Sequence, residues 1–514
     1  VGLGAGAGHE EGTRQTLFGF YAEDDWHAKT NLTLNLGLRY EPVTLPAEAH
    51  NQYQVLFNLT DPTLTPVNKL WSHNQSLLDF EPRLGFAWDP FRTGKTSVRG
   101  GFGIFDILPL PYLYTQSMAA GFPFEEQVVA SSLVAGDFPV VKSTQLGPSS
   151  FGIQQVPQNP PVPYTMNWNF NIQRAITSNL SLTIGYVGSR TIHRPDMFDD
   201  MNFTLPTLTP AGYVWPVGGG AQVNPNFGSI SAQRWAGDGW YNGLQAGVTK
   251  RLSHGFQIQG SYSWGQCLDT GSNYSFNDQF QNSMTDYMYF DHRLTKGLCD
   301  YNVTQNGVIN AIWTIPAPAG LGGIASKIIG GWQLGGIVTA QTGSPFTPVV
   351  AGDPLGRNAG DTEVDYVDRL PGCSAINGSV ASYLNLNCFS PPTAAASFAS
   401  QCNPFSGAST PPPAGQVYCS NLLGSLGRNQ IVGPGLFDLD FSLFKNIPVQ
   451  RISENFNIQF RAEFFNVLNH ANFLVPVDNE SFFNQDGSAV PGASSIDATS
   501  TSAREIQLGL KIVW

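Results

Sequence analysis

LTLNLGLRYE, running from Leu32 to Glu41, decides the fold. Leu32, Leu34, Leu36, Leu38 and Tyr40 fall on one side of an extended chain, and Thr33, Asn35, Gly37, Arg39 and Glu41 on the other. Successive side chains of a strand point to opposite faces. Strict alternation sustained over about ten residues is the pattern of a strand that crosses a bilayer.

Working outward, the pattern returns often enough to give thirteen candidate strands: Thr16–Trp26, Leu32–Glu41, Pro82–Asp89, Ser97–Phe105, Tyr164–Gln173, Leu180–Gly188, Gly243–Thr249, Phe256–Trp264, Val308–Ile315, Trp332–Gln341, Phe437–Leu443, Phe456–Phe464 and Glu505–Trp514. Phe256, Ile258, Tyr262 and Trp264 oppose Gln257, Gln259, Ser261 and Ser263, and Met166, Trp168 and Phe170 oppose Asn167, Asn169 and Asn171. Val308–Ile315 does not separate its faces cleanly, and either Ile337 or Val338 completes the apolar set of Trp332–Gln341.

Alternation alone does not tell a lipid-facing side from a soluble core. Three further features do. Short connections (27–31, 90–96, 175–179, 250–255) are each followed by a long one (42–79, 106–163, 189–238, 265–302), the asymmetry of periplasmic turns and outer loops. The apolar set is read as free of mid-strand charge, while the other set holds Arg39, Arg83, Arg461 and Glu463. A charge on the lipid face at mid-bilayer costs about 2–4 kcal/mol, and a wet lumen accepts it. Trp26, Tyr40, Trp88, Tyr164, Trp264 and Trp514 sit at strand ends, where a membrane interface favours aromatics. The expected fold is therefore an all-β, antiparallel transmembrane β-barrel. Its lumen is lined by Arg39, Arg83, Asn167, Asn169, Gln257, Gln259, Arg461 and Glu463.

Composition agrees. Of 514 residues only 12% are charged, about half the usual globular share. The net charge of −12 offers no basic stripe for phosphates, so nucleic acid is excluded as a partner. No apolar run reaches the length of a transmembrane helix. The start, VGLGAGAGHEEG, has neither the basic nor the apolar region of a signal peptide, and is read as a mature start or as a fragment lacking its natural one.

All six cysteines fall in expected long loops: Cys267 and Cys299 in one, Cys373, Cys388, Cys402 and Cys419 in another. Even numbers on one side of the membrane suit disulfides in an oxidising exterior. A Cys267–Cys299 bridge would close a loop of about 30 residues, worth about 3–4 kcal/mol in the chain-entropy model. The pairing among the other four stays open. No CxxC or Cys–His spacing suggests zinc.

Several stretches resemble the Oar-like TonB-dependent outer-membrane receptors. They are FGFYAEDDWHAKTNLTLNLGLRYEP (Phe18–Pro42), EPRLGFAWDPFRTGKTSVRGGFGIF (Glu81–Phe105), GGWQLGGIVTAQTGSPFTP (Gly330–Pro348), FRAEFFNVLNHANF (Phe460–Phe473) and the closing REIQLGLKIVW. The resemblance spans nearly the whole chain. It implies a barrel of about 22 strands with a plug inside, energy delivered through TonB, and a last strand whose final aromatic is read by the barrel-assembly machinery. No plug, TonB-contacting box or N-terminal carboxypeptidase-regulatory-like domain is recognisable. Thirteen strands also break the even count of bacterial barrels. Residues 1–514 are accordingly expected to be one barrel domain, the C-terminal portion of a receptor; the alternative is a complete smaller barrel with one strand missed.

No HExxH, Walker loop or GxSxG elbow occurs, so no catalytic residue and no cofactor is expected. His470 reads as a structural residue at a loop base, and His292, near Asp286 and Asp291, as part of a solvated loop. In AGDPLGRNAGDTEVDYVDR the carboxylates Asp361, Asp365 and Asp368 are weak calcium candidates, since their spacing does not match an EF-hand loop. Tyr112, Tyr114, Phe122, Phe124, Tyr213, Trp215, Trp235 and Tyr274 stand in long loops, either to grip a ligand or to pack the loops together. The function expected is uptake of a large or scarce solute across the outer membrane of a Gram-negative cell, with outer-membrane lipid, the TonB complex and the assembly machinery as partners. The alternative is a barrel-anchored adhesion or surface-assembly protein.

Overall fold

A computed structural model of the chain describes residues 2–6, 12–108, 125–129, 153–198, 200–272, 288–316, 328–357, 364–449, 453, 456–476 and 480–514, with backbone alone at 2–6, 125–129, 197 and 364. One sheet of fifteen strands dominates; two of them are short pieces off the main path, which leaves thirteen in sequence order. These are β1 Phe20–Lys29, β2 Leu32–Tyr40, β3 Phe80–Trp88, β4 Thr96–Asp106, β5 Tyr164–Ala175, β6 Leu180–Phe198, β7 Ile230–Ser253, β8 Phe256–Asp269, β9 Gln305–Thr314, β10 Trp332–Gln341, β11 Leu436–Pro448, β12 Asn457–Phe465 and β13 Glu505–Val513. Each pairs antiparallel with the next, the meander that short turns allow. Among the described residues β1 pairs only with β2 and β13 only with β12, so the sheet is open.

Register sorts the faces. Leu34 pairs with Phe86, Leu36 with Leu84, Ile172 with Ile184, Tyr186 with Leu244, Leu334 with Leu443, and Phe464 with Ile506. Such pairs are the unit of sheet stability, about 0.2–1 kcal/mol each. Side chains of this face are partly or largely bare: Ile184 is 60% exposed, and Leu508 and Leu510 of β13 67% and 68%. A face of aliphatic and aromatic side chains open on the outside of a sheet belongs against hydrocarbon. Close approaches shape it too. Gly188 makes room for the Trp168 indole, whose atoms fill the space a Cβ would take. At the outer end Phe20, Tyr40 and Phe80 stack across three strands, with centroids 6.4 and 4.5 Å apart.

The structure corrects several details. The first strand begins at Phe20 rather than Thr16, which leaves Phe18 outside it. Asp24 lies on the apolar face, opposite Leu36, so that face is not free of mid-strand charge as the sequence suggested. Its place is β1, at the open edge. Val338 belongs to the apolar set, opposite Ile309 and Leu439, and Ile337 to the other, opposite Asn310. β6 and β7 run to 19 and 24 residues, well past the expected Gly188 and Gly243. Their extensions contain Pro195 and register shifts near Thr191 and Arg194, which hid them from a period-two search. Cys267 consequently sits in a strand, the outer part of β8, and not in a loop.

The compact interior of the protein is in the connections. Turns 30–31, 89–95, 176–179 and 254–255 are at one end of the sheet, and 41–79, 107–163, 199–229, 270–304, 342–435 and 466–504 at the other. The connection 342–435 and part of 466–504 build a core of Phe346, Val350, Val367, Tyr383, Leu384, Phe389, Phe482 and Ile496. Among the described side chains of the thirteen strands, the buried aliphatic and aromatic ones are Ala462 and four in the outer extensions of β6 and β7: Phe198, Ile230, Ala232 and Trp235. The long connections therefore fold as a water-exposed cap with its own core, while the strands keep their apolar side chains outward.

Candidate functional site

Three disulfides brace the cap: Cys267–Cys299, Cys373–Cys388 and Cys402–Cys419, with Cα–Cα distances of 5.4, 5.4 and 4.6 Å. The first ties β8 to the connection 270–304. The other two stitch 342–435, with each cysteine paired to its neighbour in sequence. Arg428 joins these two parts. It is fully buried, and its guanidinium donates to the Asp269 carboxylate, to Asp300 Oδ1 at 2.8 Å, to the Thr295 carbonyl at 2.7 Å and to the Asp269 carbonyl at 3.1 Å. Asn429 Nδ2 adds a bond to Asp300 Oδ1 at 2.6 Å. Two carboxylates and one guanidinium out of water persist because nearly every donor finds an acceptor.

Beneath the cap, at the outer end of the face opposite the apolar band, lie two cavities. One, of about 470 Å³, is lined by Thr191, Arg194, Tyr241, Ser263, Tyr301 and Asn306 together with the Cys267–Cys299 bridge. The other, of about 360 Å³, lies between Gln341, Pro345, Phe473 and Asp300. Tyr301, 53% exposed, lines both. Its Oη is 3.9 Å from Cys267 Sγ. Tyr241 lies against Gly243 and Gly265, its Oη 2.6 and 2.8 Å from where their Cβ atoms would stand, so a side chain at either position would displace the phenol. Arg194 is neutralised by Asp196, Nε to Oδ1 at 2.9 Å. Asn302 is held by accepting from Cys267 N at 2.8 Å.

The residues expected to line a lumen all lie on this polar face, spread across it rather than gathered. Arg39 pairs with Glu41, and Arg83 with Glu81 at 2.5 Å, while Arg83 lies 4.6 Å over Phe105. Asn167 and Asn169 oppose Ser189 and Val187; Gln257 and Gln259 oppose Ile312 and Asn310. Arg461 donates to Gln459 Oε1 at 2.6 Å, and Glu463 stands between Ser442 and Gln507. At the rim, burial and then the charges of Asp106, Glu81 and Glu41 push the Asp79 carboxyl up to about 7.

Of the weak calcium candidates, Asp361 is outside the described residues. Asp365 is buried, accepts from Gly424 N at 3.2 Å, and is raised well above the usual carboxylate range by burial. Asp368 accepts from Thr393 N and Oγ1 and from Ser425 N and Oγ, so four donors of the chain already fill it. Among the described residues no group of three or more His, Cys, Asp or Glu is placed to hold a metal ion. His292 packs its ring 6.1 Å from Phe198, and burial lowers its pKa; Asp286 is outside the described residues. His470 bonds Asn472 and packs edge-on to Phe437 at the loop base. Among the loop aromatics, Tyr213, Trp215 and Trp235 pack within the cap, Trp215 only 1% exposed; Tyr112, Tyr114, Phe122, Phe124 and Tyr274 are outside the described residues. The cavity lining itself was missed: Thr191, Arg194 and Tyr301 come from stretches read as loop, and no periodic signal marks them.

Among solved structures, the chain is similar to the outer membrane transporter YddB from Escherichia coli, at 12% identity and a TM-score of 0.45, covering 97% of this chain and 44% of that one. It is similar to the ferric enterobactin receptor PfeA of Pseudomonas aeruginosa at 9% identity and 0.45, covering 96% and 44%. It is also similar to the pyoverdine receptor FpvA of Pseudomonas aeruginosa PAO1, at 10% and 0.42, covering 98% and 42%. The chain spans less than half the length of each. No curated protein matches it. The family profile described as an outer membrane beta barrel domain matches residues 4–507, nearly the whole chain, ending just inside β13. With lipid-facing side chains on the sheet and a match of that extent, this chain belongs to the outer membrane beta barrel domain family and resides in the outer membrane of a Gram-negative bacterium.

Proposed function

We propose that the protein is the barrel of an energised receptor that takes up a large or scarce solute through the outer membrane, with TonB as the source of energy. The observation that carries this reading is the pair of cavities between the cap and the polar face, both lined by Tyr301. The larger, about 470 Å³, has the size of a small-molecule site. Its phenols, hydroxyls and amides, with Arg194 already neutralised, suit an uncharged hydrogen-bonding solute. Residues 1–514 act as one barrel domain, and Asn167, Asn169, Gln257, Gln259, Arg461 and Glu463 line the route or hold a plug. β13 and Trp514 present the signal to the assembly machinery. The resemblance to Oar-like receptors supports the transport claim, whereas the sheet supports only the barrel.

The test compares solutes left in the medium by the wild-type strain, a deletion strain, a TonB-deficient strain and a Tyr301→Ala strain. At least one solute should remain in the first two mutants, and Tyr301→Ala should slow its uptake without reducing barrel in the membrane. Identical depletion by all strains sinks the proposal. If the deletion strain then fails to adhere, the adhesion reading gains, and the compact disulfide-braced cap is the observation that favours it.

A further inference from the structure

The sheet carries cations on its apolar face at the turn end, and most are satisfied by the chain. Lys250 Nζ donates to Ser253 Oγ and to the Phe256 carbonyl, at 2.8 and 2.9 Å. Lys445 Nζ donates to the carbonyls of Ile328 and Gly330 and lies 5.0 Å over the Trp332 ring. Arg174 bonds Thr96 and covers Phe91. These side chains bend onto nearby backbone, hydroxyls and rings of adjacent strands and turns, as long cations at a membrane boundary do.

Lys29 and Arg92 differ. Both are exposed, and among the described residues neither has an ion-pair or hydrogen-bond partner for its side chain. Together they line a groove of about 640 Å³ with Asn31, Leu32, Phe86, Trp88 and Pro90. Leu32 and Trp88 pair across β2 and β3, and Phe86 opposes Leu34, so the floor of the groove continues the lipid-facing band. The acid of this turn is Asp89, and it is taken. Its Oδ1 accepts from Phe91 N at 3.2 Å and its Oδ2 from Gly94 N at 2.7 Å. Arg92 N donates to the Asp89 carbonyl, and Asn31 Nδ2 donates to the same oxygen at 2.7 Å. Arg92 is thereby held at φ 55°, a left-handed conformation that non-glycine residues seldom adopt. The turn thus spends its one carboxylate on its own backbone and leaves two cations facing a greasy groove at the periplasmic boundary.

We propose that this groove binds one phospholipid of the inner leaflet: Lys29 and Arg92 hold the anionic phosphate, and an acyl chain lies along Leu32, Phe86 and Trp88. Charge complementarity selects the headgroup, and continuity with the lipid-facing band selects a diacyl molecule over a free anion. Each basic side chain near an anionic headgroup strengthens binding about five-fold, and two about thirty-fold.

Native mass spectrometry of the detergent-purified protein, titrated with dioleoyl phosphatidylglycerol, tests this. The folded K29Q/R92Q variant should hold its tightest lipid about thirty-fold more weakly than wild type. K29R/R92K should bind as wild type does, and millimolar inorganic phosphate should not displace the lipid. Should the double variant fail to assemble, R92Q alone, in an exposed turn, should weaken binding about five-fold. Unchanged affinity in the glutamine variants, loss of binding in K29R/R92K, or displacement by inorganic phosphate each overturns the proposal.

Discussion

Replacing Arg428 by methionine removes the cation that joins two connections of the cap. Asp269 and Asp300, 2% and 4% exposed, then stay buried without it, and the carbonyls of Thr295 and Asp269 lose a donor. Removing one partner of a buried pair costs about 3–5 kcal/mol, chiefly because the remaining charge stays out of water. At 1.36 kcal/mol per tenfold, local opening of the cap should become about two to four orders of magnitude more frequent. Apart from Asp269 at the outer end of β8, none of the residues Arg428 bonds lies in the thirteen strands, so the sheet should persist. Hydrogen exchange of the folded protein in detergent reads this directly. Amides of 270–304 and 342–435 should lose protection, while those of β2 to β5 keep theirs. The triple variant R428M/D269N/D300N, without any charge, should recover most of the protection. Wild-type exchange in R428M would refute the claim that the ion cluster holds the cap, and equal loss in the triple variant would refute its electrostatic cause.

Ile184→Arg, on the apolar face in mid-β6, should cost about 2–4 kcal/mol in a folding titration into lipid vesicles, whereas Thr183→Arg, one residue away on the polar face, should cost less than about 1 kcal/mol; equal costs would contradict the face assignment. Asp79 has its carboxyl raised to about 7 by burial first and then by neighbouring acids, so it binds protons more tightly folded than unfolded. Its contribution is complete below the ordinary carboxylate value near 4 and is lost as pH rises to about 7. Amides near Glu41 and Ser76 should accordingly exchange faster at pH 8 than at pH 4 after correction for intrinsic rates, and Asp79→Asn should abolish the difference. Removing the Cys402–Cys419 bridge as C402A/C419A should cost the cap about 2–4 kcal/mol, seen as new cleavage between 395 and 425 in limited proteolysis while the sheet stays intact.

The bilayer is why so much was legible. Hydrocarbon imposes one rule, apolar outward at every second residue, and the rule is local. The bounds of Trp332–Gln341 could be read to the residue, and all thirteen strands of the meander were found in order. The rule ends where the membrane ends. β6 and β7 continue past Gly188 and Gly243 through Pro195 and a bulge, because in water their pairing is held by the cap and not by lipid. Asp24 was open to the same rule, since alternation alone sets it with Phe20, Ala22 and Trp26, and its pairing with Leu36 agrees.

Alternation, aromatic ends and the lengths of the connections were enough to establish that the chain is an outer-membrane sheet with its loops on one side. The tertiary structure alone decided how those loops knit together. Arg428 meets Asp269 across 159 positions, Cys373 chooses Cys388, and Tyr301 comes to line two cavities. Contacts made at such separation in water follow no period, because each depends on where the rest of the chain has already gone.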